Sequence, residues 1–127
     1  MFGNGMEKLK SFLGAEAEFQ GELMTKGILR MDGVVRGKVQ ADEVILSETA
    51  LIRGDIIAKK IVVGGKVEGN LRAQDLVEIK PKGNVTGDIF THKLLVMEGG
   101  AFNGQIEMGT GELEALDVES GNEEVFA

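Results

Sequence analysis

The sequence predicts an all-β, single-domain β-helix, a β-solenoid of about six windings. A glycine-centred phrase recurs, its glycines standing at Gly21, Gly37, Gly54, Gly69, Gly87 and Gly104, spacings of 16, 17, 15, 18 and 17 residues, and a fixed period of this kind decides a fold before local propensity does. Between the glycines, Val, Ile and Leu alternate with polar residues over short stretches, which is strand patterning and not a 3.6-residue period. The chain also holds 19 glycines and one proline, Pro81, which suits a backbone that turns often and keeps its donors for ladders.

The six copies align as Phe19-x-Gly21-x-Leu23-x-Thr25, Val35-x-Gly37-x-Val39-x-Ala41, Ile52-x-Gly54-x-Ile56-x-Ala58, Val67-x-Gly69-x-Leu71-x-Ala73, Val85-x-Gly87-x-Ile89-x-Thr91 and Phe102-x-Gly104-x-Ile106-x-Met108. Seven residues after each of the first five glycines stands a further aliphatic position, Ile28, Val44, Ile61, Leu76 and Leu94. Each period therefore holds more than one strand, and about 17 residues fit three strands of five or six residues joined by tight corners. Windings stacked about 4.8 Å apart place like positions in columns. One column is Phe19, Val35, Ile52, Val67, Val85 and Phe102; a second is Leu23, Val39, Ile56, Leu71, Ile89 and Ile106. Both are expected to face inward. The glycines share their parity, so Gly37 and its equivalents are expected at the inside of a corner, where a side chain would crowd the aliphatic stack.

Two segments flank this body of residues 19–108. The head, residues 1–18, sets Met1, Phe2, Met6, Leu9, Phe12 and Leu13 among Lys8 and Lys10, with Glu7 opposing them. It reads as a flexible segment, apolar and basic, that contacts a membrane weakly in one copy and strongly in many. The tail, residues 109–127, holds Glu112, Glu114, Asp117, Glu119, Glu123 and Glu124 and no base, and is expected to be disordered. With Lys+Arg 14 against Asp+Glu 21, the net charge is −7, and the tail accounts for nearly all of it. The near-neutral body offers no basic patch for phosphates, which argues against nucleic acid as a partner. No cysteine is present, so neither a disulfide frame nor a thiolate metal site is available. No apolar run reaches the length of a secretory signal or a membrane span, and the expected location is cytoplasmic.

Chemistry has few candidates. The single histidine, His92, follows "GDIFT" at an expected corner beside Lys93. It could serve as the general base of a hexapeptide-repeat acyltransferase, but it lacks a second catalytic partner and reads more simply as a solvated corner residue. "GGKVEG" lacks the aspartate of a calcium-binding repeat, and "GVVRGK" lacks the spacing and the Ser or Thr of a phosphate loop. "RGD" at Arg53 to Asp55 is a chance product of the repeat. No enzyme, cofactor, metal or nucleotide is expected. The flank charges, such as Arg36, Lys38, Arg53, Lys59, Lys60, Lys66, Arg72, Lys80 and Lys82, alternate with Asp and Glu and read as solvated faces.

Six such windings between a short head and a polar tail, beginning "MFGNG", resemble the bactofilins, a bacterial cytoskeletal family. That resemblance implies a right-handed β-helix that polymerises end to end into non-polar filaments without nucleotide. It also implies a place on the inner face of the cytoplasmic membrane and the scaffolding of cell-shape or cell-wall machinery.

The residues argue for polymerisation on their own terms. A solenoid ends in two open faces with unpaired strand edges, and no amphipathic cap follows Met108 in "GTGELEALDVES". Phe19, Leu23, Phe102, Ile106 and Met108 are the expected polymer contacts. Joining two triangular faces buries about 300 Å², about 7 kcal/mol gross at about 25 cal/mol/Å². That lies within the association cost of about 4–15 kcal/mol, so ladder bonds across the joint, about 0.5–1.5 kcal/mol each, are needed to favour filaments. The alternative is a solenoid that binds other proteins without forming filaments.

Overall fold

In a computed structural model, described over residues 9–109, ten strands form one sheet coiled on itself, and every pairing between them is parallel. The strands are β1 (Leu9–Leu13), β2 (Glu18–Met24), β3 (Ile28–Met31), β4 (Val34–Gln40), β5 (Glu43–Leu46), β6 (Leu51–Val63), β7 (Lys66–Glu68), β8 (Leu71–Ile79), β9 (Asn84–Val96) and β10 (Ala101–Met108). Each winding has three sides, the first ending at the phrase glycine, the second beginning there, and the third closing the triangle. β2 with β3, β4 with β5, β6 alone, β7 with β8, and β9 alone make five complete windings. β10 supplies the first two sides of a sixth.

Two strands far exceed the expected five or six residues, because the chain there passes the corner without leaving the ladder: β6 and β9 each run 13 residues. The two inward columns hold residue for residue. Phe19 pairs with Val35, Val35 with Ile52, Ile52 with Val67, Val67 with Val85, and Val85 with Phe102. Leu23, Val39, Ile56, Leu71, Ile89 and Ile106 follow in the same way. The third side adds two more columns, Leu29, Val44, Ile61, Val77 and Leu94, and Met31, Leu46, Val63, Ile79 and Val96. Together with alanines near the second corner these form one continuous core.

The structure refines the expectations at three points. Of the aliphatic positions seven residues after the glycines, Val44, Ile61 and Leu94 share one inward column, whereas Ile28 pairs with Glu43 and Leu76 with Lys60, so Leu29 and Val77 take that column in their windings. Counting seven residues from the glycine fails there because one extra residue sits in the corner between Met24 and Ile28, and another between Ala73 and Leu76.

The glycines, secondly, are not required by the aliphatic stack. Gly54 has φ +147°, and a Cβ built on it would overlap the carbonyl oxygen of Gly37 in the winding before. The same holds for Gly37, Gly69, Gly87 and Gly104 against their predecessors. The phrase repeats because backbone meets backbone at this corner, in a left-handed conformation that side chains disfavour. Gly21 shares the conformation, but what a Cβ there would meet is the ring of Phe19 at 3.8 Å.

Thirdly, the ordered body begins before residue 19. β1 lies along β3, with Phe12 opposite Arg30 and Leu13 opposite Met31, and acts as the third side of a winding that precedes the first glycine. Leu9, Lys10, Phe12 and Leu13 thus stand in a strand and not in a flexible head. Met1, Phe2, Met6 and Lys8 lie outside the described residues, as does the tail beyond Gly109.

Candidate self-association site

The two phrase columns are closed in the middle and open at their ends. Val35, Ile52, Val67 and Val85 have 0% exposure, while Phe19 and Phe102, the ends of the same column, remain half-buried. Leu23 and Ile106 end the second column likewise, against fully buried Val39 and Ile56. The cause is the repeat itself. A side chain inside the stack is covered by one neighbour above and one below, and a terminal side chain has one.

At the N-terminal end, Phe19 and Leu23 from β2 lie beside Leu13 from β1, all packed on the core from one side. Phe12 (60% exposed) and Met24 (72%) project beside them. At the C-terminal end, β10 brings Phe102, Ile106 and Met108 together, the last half-buried at the end of the second side. Leu94 and Val96, on the third side of β9, complete that surface. Among the described residues, no strand pairs with the outer edges of β1, β2 and β10, or with the outer edge of β9 from Lys93 to Val96. Each end therefore offers apolar side chains framed by backbone donors and acceptors, the pair of features that allows a β-ladder to continue into another copy.

The expected contacts Phe19, Leu23, Phe102, Ile106 and Met108 fall at these two ends. Leu13, expected in a membrane-contacting head, packs on the core. Leu94 and Val96 were missed as end residues. Their signal was the segment "LLVMEGG", the last third side among the described residues.

The flanks are polar and locally satisfied. Arg36 pairs with Glu18 at 2.9 Å, Arg53 with Glu68 at 3.1 Å and Lys60 with Glu43 at 3.6 Å, each across adjacent windings. Past the first corner the backbone N–H of Asn70 donates to Asp55 Oδ1, and the N–H of Asp88 donates to Asn70 Oδ1, both at 3.4 Å. The Arg72 guanidinium lies 5.0 Å over the Phe90 ring, a surface stacking contact. His92 is half-buried at the second corner next to Thr91, whose hydroxyl donates to the Lys93 carbonyl. Among the described residues no cluster of three His, Cys, Asp or Glu could hold a metal, and no helix is long and apolar enough to cross a membrane.

A parallel β-solenoid whose apolar columns run out into open strand edges at both ends defines a class: structural proteins that stack on themselves. Comparison with known proteins narrows the class. Residues 11–107 match the family model for Bactofilin, described as polymer-forming cytoskeletal, and the chain belongs to that family. It is 31% identical over 97 residues to bactofilin BacO of Myxococcus xanthus, covering 76% of this chain and 77% of that one. Bactofilin BacP of the same organism is 29% identical over 93 residues, covering 69% of this chain and 39% of BacP. Among solved structures, a cryo-EM reconstruction of Thermus thermophilus bactofilin double helical filaments matches with a TM-score of 0.71 at 31% identity, over 78% of this chain and 99% of that chain. Bactofilins are structural cytoskeletal proteins and not enzymes, so an acyltransferase role for His92 does not describe this chain.

Proposed function

We propose that this chain polymerises end to end, without nucleotide, through the two surfaces just described, and that its filaments pair as those of the Thermus relative do. The observation that carries this is the half-burial of Phe19, Leu23, Phe102 and Ile106 in columns otherwise sealed from water. Each joint removes these side chains from solvent and continues the ladder, so apolar burial and backbone bonding act on the same surface. Sedimentation and electron microscopy of the purified protein without nucleotide test it. Pelletable filaments are expected; a chain that stays monomeric at every concentration sinks the proposal.

The filament lies on the inner face of the cytoplasmic membrane through residues 1–8 together with the exposed Phe12, and there it holds cell-shape or cell-wall proteins in place. What supports this is chemistry and multiplicity. Met1, Phe2, Met6 and Lys8 offer a small apolar and cationic group, too weak alone, which a filament repeats along its length. Flotation with anionic liposomes is the test, with filaments expected in the floating fraction and monomers largely absent from it.

A further inference from the structure

Resting on the end-to-end joint of the preceding section, we propose that Met108 is the oxidation site of this polymer: a peroxide that converts its thioether to the sulfoxide takes the C-terminal surface out of the joint. The inward column at the second corner holds small residues wherever a further winding covers it. Ala58 pairs with Ala73, Ala73 with Thr91, and Thr91 with Met108. Ala58, Ala73 and Thr91 are buried, Thr91 completely. Met108 brings a long side chain to the end of that column, where among the described residues no strand lies over it. A corner that takes alanine or threonine between two windings leaves little room for methionine, and Met108 is accommodated, half-buried, because its outer side is open. Phe102 and Ile106 of the same strand pack on the aliphatic core, whereas the residue beneath Met108 is Thr91.

The distribution of sulfur singles this residue out. The chain has six methionines and no cysteine, so thioethers are its only sulfur. Within the described residues Met31 is sealed in the core, and Met97 is exposed in the turn between β9 and β10. Met24 is exposed too, but it points outward from β2 in the column of Gln40 and Ile57, so a joint that continues the ladder leaves it on the flank. Met108 alone of these four combines access to solvent with an inward position on an end surface.

The sulfur of methionine is soft and polarizable. Its lone pair attacks one peroxide oxygen, the S–O bond forms as the O–O bond breaks, and sulfur gives up two electrons. The departing hydroxide takes the proton of the transferred hydroxyl and leaves as water. An apolar side chain has become a polar one. In the free subunit, water solvates the new oxygen. In a joint it lies under another copy, among backbone donors already engaged in the ladder, and a buried acceptor without a donor opposes association. Apolar burial at the joint barely matches the association cost, so this one oxygen is expected to raise the concentration at which filaments pellet by about tenfold or more. Assembly protects in return, because each joint covers Met108, and the reaction therefore acts on the unassembled pool.

Subunits diluted below the pelleting concentration, and filaments, are exposed briefly to hydrogen peroxide, and the added oxygen is located by peptide mass spectrometry. Met24 is expected to be oxidised in both preparations, Met31 in neither, and Met108 in the unassembled subunits alone. Equal oxidation of Met108 in filaments, or its protection in unassembled subunits, overturns the proposal. Pelleting is then compared before and after peroxide for the wild-type chain, Met24→Leu and Met108→Leu, each against its own untreated preparation. The first two should need about tenfold more protein after treatment, while Met108→Leu should match its untreated level. The same loss in Met108→Leu, or its absence in Met24→Leu, overturns the proposal. A wild-type chain that forms no filaments before oxidant is added sinks the end-to-end reading and this proposal together; filaments whose assembly ignores peroxide sink this proposal alone.

Discussion

Val35, Ile52, Val67 and Val85 in the middle windings and Phe19 and Phe102 at the two ends belong to one column, yet only the first four are sealed from solvent. The phrase around them is the same and so is the local backbone. What differs is the number of neighbouring windings, two in the middle and one at each end. Stability is thus concentrated where the repeat continues, and uncovered apolar surface where it stops. In this fold a residue's role depends on its position in the stack as much as on its type.

The sharpest way to break the comparison is at the glycines. Gly54→Ala places a Cβ against the Gly37 carbonyl at positive φ, whereas Gly21→Ala meets no carbonyl. The first is expected to cost about 3 kcal/mol or more, a fall in melting temperature of roughly 12 °C or more; the second should fall much less. Equal melting curves by circular dichroism would show that the terminal winding is as confined as the central one. Next in size is a charge placed in the column. Phe102→Arg should leave a folded, unassembled monomer, because its guanidinium can reach water from the open end but not from within a joint. Ile52→Arg, with no exit, should fail to fold. Pelleting of Phe102→Arg at the wild-type level would remove the C-terminal surface from the joint.

Removing residues 1–8 takes nothing from the described ladder, so filaments should persist while liposome flotation is lost. Flotation of the shortened filaments would move the lipid contact onto the solenoid flank. The smallest effect belongs to the flank charges. Arg36→Ala breaks an exposed ion pair with Glu18 and should change stability by no more than about 0.5 kcal/mol, with filament yield unchanged in a pelleting assay. A larger loss would mean that cross-winding ion pairs help hold the stack.

Much of this was legible in the sequence, since a repeat writes its own alignment: both phrase columns follow from the glycine positions. Three features were not. β1 is a lone third side without a corner glycine, so a search for the phrase passes over it, and with it over Leu13 as the end of a core column. The third-side core residues Leu29 and Val77 were not singled out, because counting seven residues from the glycine lands on Ile28 and Leu76 and does not register an added corner residue. The reason for the glycines lay in φ and in the preceding winding's carbonyl, neither of which is written in the residues beside them.

Those added corner residues bear on how such a chain can change in length. One extra residue between Met24 and Ile28, and one between Ala73 and Leu76, leave the next strand in full register with its neighbours. Within a strand the same insertion would turn every later side chain over. Small insertions and deletions are therefore tolerated at the vertices and excluded from the sides, while a whole winding can be gained or lost without altering either terminal surface. Duplication of one period would lengthen the subunit by about 4.8 Å and yield a protein that still joins its unmodified parent in a mixed polymer.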